Sequence, residues 1–213
     1  MILSKFIVFE GIDGAGTSTQ IEQLRKRQEA GSFLFTAEPT GGETGKFLRR
    51  MLKGDVKLEA STAAYLFAAD RNEHIYGRIR CEGQTLTSGI AEACESGRIV
   101  VSDRYLFSSL AYQGISCPGD LPYKLNGGFP LPRLLFYFDI DPASSLARIK
   151  GRETKEIYEE EGFLRQVKEG YQKAISNLSA REPGMKVVWL DATKRVTELA
   201  EEIWKEISAC GLV

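Results

Sequence analysis

The sequence has a single histidine and no closely paired cysteines. His74 is the only histidine, and no C-x-x-C pair occurs among the cysteines, which are Cys81, Cys94, Cys117 and Cys210. Structural zinc sites and cysteine nucleophiles both depend on closely arranged Cys and His side chains. The sequence therefore argues against a zinc protein and against a Cys-His catalytic pair. We expect four reduced thiols and a plain polar role for His74.

Long apolar runs and an excess of one charge are also missing. No apolar stretch approaches the ~18 residues of a membrane-spanning helix, and no charged leader precedes the first apolar segment. The 28 basic and 29 acidic side chains leave a net charge of -1. Such a balance gives no general attraction for nucleic acid or a membrane surface. We expect a cytoplasmic protein that binds neither, so any anion site must be local.

Internal repeats and low-complexity segments do not occur in the 213 residues, which fit one domain, 1–213. Strand patterns alternate with helical ones along the chain. The strand patterns lie at residues 6–9, 33–36, 98–102, 134–140 and 186–191. This alternation predicts an α/β fold with a five-stranded parallel sheet, helices on both faces and a ligand crevice at the carboxyl ends of the strands.

A glycine-rich loop follows the first strand pattern. Gly11 and Gly16 hold the glycine positions of the phosphate-binding pattern G-x-x-x-x-G-K-[ST], and Ser18 holds the hydroxyl position, but Thr17 stands in place of lysine. The backbone N–H groups of such a loop bind phosphate, and its hydroxyl can ligate Mg²⁺. We expect phosphate binding with slower transfer, because the mobile positive charge is lost; an ordinary glycine-rich turn is the alternative. The proposed binding segment is Gly11, Ile12, Asp13, Gly14, Ala15, Gly16, Thr17, Ser18 and Thr19.

Polar side chains follow two further strand patterns. Glu38 comes after the second, in a turn-rich segment, and Asp103 and Arg104 come after the third. At the carboxyl end of a parallel strand, Asp103 is where a carboxylate would bind Mg²⁺, and Arg104 would point at a substrate phosphate. A solvated loop carboxylate and a structural Asp–Arg pair are the alternatives.

Phe67 and Arg71 are four residues apart in a long helical pattern, for which Ser61 is the expected N-cap and Ile79 the expected end. Residues at this spacing share one helix face, and an aromatic ring beside a guanidinium suits a planar base. Core packing of Phe67 and an ion pair of Arg71 are the alternative, which the spacing alone favours.

Other candidate residues lie in helical patterns near the middle of the chain. Arg49 belongs to a short basic pattern at residues 45–52, whose charges otherwise indicate a solvated face. Tyr112 and Gln113 offer an aromatic face and a hydrogen-bonding amide. Residues 117–132 are rich in Pro and Gly, which predicts a surface loop of variable conformation.

A cationic segment runs from Arg148 through Lys150 to Arg152 and is followed by acidic residues. Concentrated cations around a glycine suit a mobile lid, at about residues 148–160, that closes over a phosphate chain. An exposed charged turn is the alternative.

Together these motifs resemble those of bacterial thymidylate kinases, in the family of P-loop nucleoside monophosphate kinases. Other P-loop kinases would share the glycine loop but not the Phe-x-x-x-Arg helix together with Asp-Arg-Tyr and Ala-Tyr-Gln-Gly. The matching segments, which span nearly the whole chain, are residues 9–16, 38–39, 66–71, 102–105, 108–114, 138–142 and 148–152.

The resemblance implies that the chain converts dTMP to dTDP for dTTP synthesis, with ATP and Mg²⁺ as cofactors and a homodimer as its assembly. It implies that Phe67 stacks on thymine, that Arg71 hydrogen-bonds the base and that Arg104 holds the dTMP phosphate. Further implied substrate contacts are Glu38, Arg49, Ser108, Tyr112 and Gln113. The implied metal ligands are Ser18 and Asp103, and the implied catalytic residues are Asp13, Arg104, Arg148 and Arg152.

The chain departs from the family pattern at the phosphate loop and after Gly114. Gly14 stands where some members carry an arginine, and in members without it the lid supplies the catalytic arginine, here Arg148 or Arg152. Members normally carry lysine at the position of Thr17, and residues 115–119 replace a glycine-rich continuation.

Phosphoryl transfer to a phosphate oxygen needs no general base, because that oxygen is already anionic at neutral pH. Two other functions stay open. Thr17 is the expected lesion of a nucleotide-binding homologue impaired in catalysis, and Glu38 is the only carboxylate placed to act as the base of a nucleoside kinase.

Overall fold

The computed structural model describes residues 1–27, 33–77, 80–81, 84–85, 88–150, 158 and 160–213. Its strands are β1 (Ile2–Gly11), β2 (Phe33–Ala37), β3 (Arg80–Cys81), β4 (Gln84–Thr85), β5 (Ile99–Asp103), β6 (Leu131–Asp139) and β7 (Lys186–Asp191). Its helices are α1 (Thr17–Arg25), α2 (Glu43–Leu52), α3 (Ala60–Tyr76), α4 (Ile90–Glu95), α5 (Leu106–Ser116), α6 (Leu121–Asn126), α7 (Pro142–Ile149), α8 (Glu161–Arg181) and α9 (Val196–Ala209).

Five strands form one parallel sheet in the order β2-β5-β1-β6-β7, and β3 pairs with β4 in a separate antiparallel hairpin. Phe9 of β1 lies between Asp103 of β5 and Phe136 of β6, and Ala37 of β2 lies on the other side of Asp103. The carboxyl ends of β2, β5 and β1 therefore meet at one edge of the sheet. This arrangement confirms the predicted α/β fold of a P-loop kinase; the short hairpin was not predicted.

Both faces of the sheet are covered. Residues 6–9 of β1 are consecutive and fully buried, and successive side chains of a strand point to opposite faces. Helix α5 packs against α8, and α1 packs against α9. Because a strand buried on both faces needs a continuous apolar run, β1 was recognisable from the sequence.

A small second apolar cluster joins α2 to α3. Its buried members are Leu48, Met51 and Ala63, and Phe67 packs against it while remaining partly exposed. The cluster packs α3 on α2, and hydrogen bonds of His74 to Thr36 and of Arg71 to Glu38 place α3 beside the end of β2.

The prediction for the ends of α3 is wrong by about one turn or less. Glu59, not Ser61, is the N-cap residue, and it makes no side-chain cap. Leu58 already packs in the α2–α3 cluster, so apolar contact aligns the chain before the helix begins. The helix ends at Tyr76, before Gly77, and Ile79 lies outside the described residues.

The prediction of a surface loop at residues 117–132 is also wrong in part. The segment contains α6, and β6 begins at Leu131. Asn126 is buried, and its amide donates to the Pro122 carbonyl while its Oδ1 accepts from Arg71. A tertiary hydrogen bond therefore orders a segment whose composition indicates variability.

Cys94, Cys117 and Cys210 are free thiols, as predicted, and the side chain of Cys81 lies outside the described residues. Burial raises the pKa of the Cys94 thiol to about 12, which leaves it unreactive. Within the described ranges, no helix combines the length and apolarity needed to cross a bilayer.

Candidate active site

A cleft of about 640 Å³ lies at the carboxyl ends of β1, β2 and β5. The residues proposed from the sequence that line it are Ile12, Asp13, Gly14, Ala15, Gly16, Thr17, Ser18, Thr19, Glu38, Arg49, Phe67, Arg71, Asp103, Arg104, Ser108, Tyr112, Gln113 and Arg148. Gly11 lies behind the cleft, where its carbonyl accepts a hydrogen bond from Arg104. Arg152 and most of the proposed lid lie outside the described residues.

The glycine loop presents its backbone to this cleft. Gly14 and Gly16 have φ values of 82° and 99°, a region that glycine enters without strain. A Cβ on Gly14 would lie 2.5 Å from the Ser145 carbonyl, whereas no atom lies within 4 Å of a Cβ placed on Gly16. The loop is therefore packed against α7 on one side and open on the other, next to the N-terminus of α1, where anions bind favourably.

Ser18 and Asp103 come together at the mouth of the glycine loop. The Ser18 hydroxyl donates to Oδ2 of Asp103 at 2.6 Å. Oδ1 of Asp103 is buried and has no hydrogen-bond partner within the described part of the chain. No cluster of three or more His, Cys, Asp or Glu side chains that would hold a metal occurs there either. The pair suits a hard cation that completes its shell with waters and phosphates.

Arg104 has an uncommon backbone conformation, with φ of 70° in a residue other than glycine. Its N–H donates to the Phe9 carbonyl and its carbonyl accepts from the Ser102 hydroxyl. Such conformations cost ~1–3 kcal/mol and cluster at functional sites. The surrounding hydrogen bonds thus hold Arg104 at the edge of the cleft against this cost.

The Arg104 guanidinium is fixed on two sides. Nη2 donates to Oδ1 of Asp13 at 2.5 Å, and Nη1 donates to the Gly11 carbonyl and to the hydroxyls of Ser108 and Tyr171. Burial would lower the pKa of Arg104, but Asp13 and the neighbouring groups raise it well above its ordinary value. The side chain is therefore a permanent cation beside the cleft.

Tyr112 and Gln113 lie next to this pair. The Tyr112 hydroxyl donates to Oδ2 of Asp13 at 3.0 Å, and burial with the Asp13 charge raises the pKa of Tyr112 well above its ordinary value. Oε1 of Gln113 is buried without a partner among the described residues. Because buried polar atoms are nearly always paired, this amide is available to a ligand in the cleft.

A second buried ion pair lies at the other end of the cleft. Nε and Nη2 of Arg71 both donate to Oε2 of Glu38, at 3.0 and 2.6 Å, and Arg71 also donates to Asn126 and Ser109. Arg71 is 1% exposed. The ion pair expected from the sequence as the alternative role of Arg71 is therefore present. Because Arg71 also lines the cleft, it is fixed by these partners while facing a ligand.

His74 belongs to the same network, and the expectation of a plain polar residue is wrong. It is buried, with Nδ1 2.9 Å from Oε1 of Glu38 and Nε2 2.6 Å from the Thr36 hydroxyl. Burial would raise the pKa of Glu38, but Arg71 and His74 lower it below its ordinary value. Glu38 is therefore a carboxylate with both oxygens engaged, not a solvated loop residue.

Phe67 and Arg49 complete this end of the cleft. Phe67 packs against the α2–α3 cluster and also lines the cleft, so packing and exposure to a ligand coexist. Arg49 donates to the Pro39 carbonyl. The basic side chain is thereby turned toward the cleft and not wholly into solvent.

Residues from the C-terminal part of the chain line the end of the cleft beside α1. Nη2 of Arg148 donates to the Ala192 carbonyl at 2.8 Å, and Lys194 pairs with Glu202. Ala192, Lys194, Val196 and Leu199 line the cleft there. The sequence offered no motif for these positions.

Glu10 and Tyr171 were also missed. Glu10 is fully buried, and its Oε2 accepts from the Tyr171 hydroxyl, which in turn accepts from Arg104. An acidic residue that directly follows four apolar residues in β1 is the one signal that pointed to Glu10. Tyr171 is 161 positions away from it and had none.

A glycine loop after the central strand, a helix N-terminus facing the same cleft and a carboxylate ending the adjacent strand define the class of P-loop kinases. Comparison with known families narrows this class. The model of the thymidylate kinase family matches residues 9–203, and the chain therefore belongs to the thymidylate kinase family of nucleoside monophosphate kinases.

Individual relatives agree with this assignment. The chain is 40% identical over 204 residues to a Treponema pallidum (strain Nichols) protein named "Putative thymidylate kinase", covering 95% of this chain and 94% of the relative. It is 39% identical over 210 residues to the "Probable thymidylate kinase" of Methanococcus maripaludis (strain DSM 14266), covering 96% of both chains. It is 38% identical over 192 residues to the "Thymidylate kinase" of Leptospira borgpetersenii serovar Hardjo-bovis (strain L550), covering 85% of this chain and 86% of the relative.

Proposed function

We propose that the chain is one kinase domain that transfers a phosphoryl group from ATP to dTMP and so forms dTDP for dTTP synthesis. The observation that carries the proposal is the arrangement of one cleft, with the glycine loop and the Ser18–Asp103 pair at one end and the Phe67 and Arg71 side chains at the other. Arg104 lies in the same cleft, fixed by Asp13. Phosphoryl transfer requires the terminal phosphate of ATP and the phosphate of dTMP to meet in line, and Arg104 would place a positive charge beside them.

Ser18 and Asp103 would hold Mg²⁺, because the buried Oδ1 of Asp103 lacks a partner among the described residues and the Ser18 hydroxyl adjoins the other oxygen. When bound, the ion would neutralise charge that develops on the phosphate oxygens. The backbone of the glycine loop would bind the ATP phosphates, since the space over Gly16 is open to a ligand and the φ of 99° at Gly16 disfavours a side chain there.

At the acceptor end, Phe67 would stack on thymine and Arg71 would hydrogen-bond the base. Arg104 would bind the dTMP phosphate, with Asp13, Tyr112 and Ser108 around the sugar and phosphate. Further contacts are proposed for Glu38, Arg49 and Gln113. Glu38 argues against the nucleoside kinase, because Arg71 and His74 hold both its oxygens and lower its pKa, which makes it a poor general base.

The proposal includes slow catalysis caused by Thr17. Thr17 lines the cleft at the start of α1, where it adds a hydroxyl but no charge. Arg148 lines the same cleft and is the first candidate for the cation that would compensate, with Arg152 of the proposed lid as the second. A homologue that binds ATP and dTMP without turnover is the second candidate function, because Thr17 supplies no positive charge to the phosphates.

We also propose a homodimer. The exposed residues of α3 are the uncharged Thr62, Tyr65, Ala69, Asn72 and Tyr76 and one charged residue, Glu73, and both tyrosines are more than half exposed. A largely uncharged helix face with aromatic residues suits a protein interface. Tyr65→Arg should shift the sedimentation of the purified protein from dimer to monomer; monomeric wild-type protein would contradict the proposal.

The cytoplasmic location of the protein stays a prediction.

The function is tested with purified protein, ATP, Mg²⁺ and a panel of nucleoside monophosphates. We expect diphosphate to form fastest from dTMP, and a clear preference for AMP or CMP would contradict the assignment. Turnover of thymidine would support a nucleoside kinase. Binding of dTMP and ATP without turnover would support the impaired homologue.

A further inference from the structure

Glu10 closes a buried set of hydrogen bonds beneath Arg104. Its Oε1 accepts from the backbone N–H groups of Tyr105 and Ser108, at 2.8 and 3.2 Å. Its Oε2 accepts from the hydroxyls of Ser108 and Tyr171, at 2.7 and 2.9 Å. Because all four partners donate, the site suits a carboxylate, which only accepts.

The same two hydroxyls also contact Arg104. Nη1 of Arg104 lies 3.3 Å from the Ser108 oxygen and 3.0 Å from the Tyr171 oxygen. A hydroxyl that donates its proton to Glu10 presents its lone pairs to the guanidinium. The two hydroxyl oxygens also lie 2.8 Å from each other, and that of Tyr171 lies 3.2 Å from the Gly11 carbonyl. An ionised Glu10 is the strongest acceptor for both protons, and with both donated to it the hydrogen bonds run from Arg104 through the two hydroxyls to Glu10.

We propose that Glu10 is a positioning residue for the acceptor phosphate, which acts through Ser108 and Tyr171 to hold Arg104 in its binding orientation. The inference rests on the proposed role of Arg104. Asp13 holds the other terminal nitrogen from the cleft side, so Glu10 is the second carboxylate that orients this arginine. Because Glu10 is fully buried on β1, it does so without touching the substrate.

Glu10→Gln tests the proposal with a side chain of the same shape. The amide oxygen must still accept from the two backbone N–H groups, so the NH₂ group faces the two hydroxyls and turns their protons toward the N–H groups of Arg104. Burial raises the pKa of Glu10 to about 7, so assays at about pH 8 measure the ionised form of the wild type. We expect KM for dTMP to increase about fivefold or more and KM for ATP to change by less than about twofold.

Tyr171→Phe provides a second variant that removes only a hydroxyl and should also raise KM for dTMP selectively. In the double variant, the fold-increase in KM for dTMP should be smaller than the product of the increases in Glu10→Gln and Tyr171→Phe, because both residues act through one chain of hydrogen bonds. Tyr137→Phe is the matched control. Tyr137 is buried on β6 with its ring 5.3 Å from that of Tyr171, and we expect its KM values to match those of the wild type.

A purely structural Glu10 would lower Tm and the active fraction without a selective rise in KM for dTMP, and that result would overturn the proposal. An unchanged KM in Tyr171→Phe would overturn it even if Glu10→Gln failed to fold. The activity of the wild type distinguishes failure of the proposed function from failure of the role of Glu10. If the wild type does not phosphorylate dTMP, the proposed function fails. If the wild type phosphorylates dTMP and both variants have the same KM values as the wild type, only the role of Glu10 fails.

Discussion

The Ser18 hydroxyl donates a 2.6 Å hydrogen bond to Asp103, which lies 85 positions further along the chain. Ser18 belongs to the first turn of α1 and Asp103 ends β5. The pair exists because β5 lies beside β1 in the sheet, which brings the end of β5 to the loop that follows β1. Two oxygen atoms from separate elements are thereby brought together, where we propose that they bind one cation.

Asp103→Asn should separate metal binding from folding. The amide keeps the shape of the side chain but loses the charge that attracts a divalent cation, so we expect kcat to fall by ~10²–10³ and the half-saturating Mg²⁺ concentration to rise. A magnesium titration of initial rates measures both. Asp139→Asn is the control, because Asp139 also ends a strand but pairs with Lys168 outside the cleft. A wild-type magnesium dependence in Asp103→Asn would rule out the metal site.

The resemblance implies that Arg71 binds the base, and the burial of its side chain indicates that it also contributes to stability. Removing Arg71 would leave the buried Glu38 carboxylate with His74 alone, and loss of one partner of a buried ion pair costs ~3–5 kcal/mol. Arg71→Lys keeps the charge and loses the planar fork, so KM for dTMP should rise about tenfold with a smaller loss of stability.

The control for Arg71→Lys is Arg133→Lys, which alters an exposed hydrogen bond to the Gly184 carbonyl. Steady-state kinetics with dTMP varied and thermal unfolding are measured for both variants. A lowered Tm with an unchanged KM would show that Arg71 is only structural.

Thr17→Lys should restore the missing charge of the phosphate loop. Removing one preorganised electrostatic group typically costs ~10²–10³ in rate, so the lysine is expected to raise kcat with dTMP by about tenfold or more while Tm changes little. Gln23→Lys places the same charge further along α1 and should give no gain. Wild-type turnover of ~1–100 s⁻¹ without benefit from Lys would show that Arg148, Lys150, Arg152 or Arg104 already supplies the charge.

Arg148→Ala and Arg152→Ala test the lid. If these arginines act on the transition state, kcat should fall by about 10²-fold while ATP affinity, measured by calorimetry, changes little. Arg165→Ala is the control, since Arg165 is exposed and pairs with Glu161 on α8. An equal loss of ATP affinity would indicate that the arginines only bind ATP.

Stability should depend on pH through Glu10. Burial raises the pKa of Glu10 to about 7, although Arg104 and the hydrogen bonds from Ser108, Tyr171 and Tyr105 oppose the shift. The folded state then binds a proton more tightly than the unfolded one, so this stabilisation is present below about pH 4.5 and is lost as pH rises through about 7.

Urea unfolding of wild type and Glu10→Gln measures this effect. The free energy of unfolding of the wild type, relative to that of the variant, should fall by roughly 3 kcal/mol between about pH 4.5 and pH 8. Glu22→Gln, at an exposed position on α1, should leave the pH dependence unchanged. Parallel curves for wild type and Glu10→Gln would contradict the raised pKa.

The sequence by itself determined the features that are written in a few consecutive residues. The buried run at 6–9, the glycines at 14 and 16 and the aspartate that ends β5 each follow from a local rule about strands, turns or strand ends. Because such rules act within one element, the sheet and most of the cleft were predictable. They failed at Ser61, where packing of Leu58 and not a polar cap begins the helix.

Only the tertiary structure decided which side chains meet beneath the cleft. His74 looked like an ordinary helical residue, yet it lies buried between Glu38 and Thr36. Glu10 and Tyr171 are brought into contact by strand order and by the packing of α8 on α5. A buried carboxylate is stable only with partners, and those partners are set by element packing at distant positions. No local pattern of residues encodes that choice.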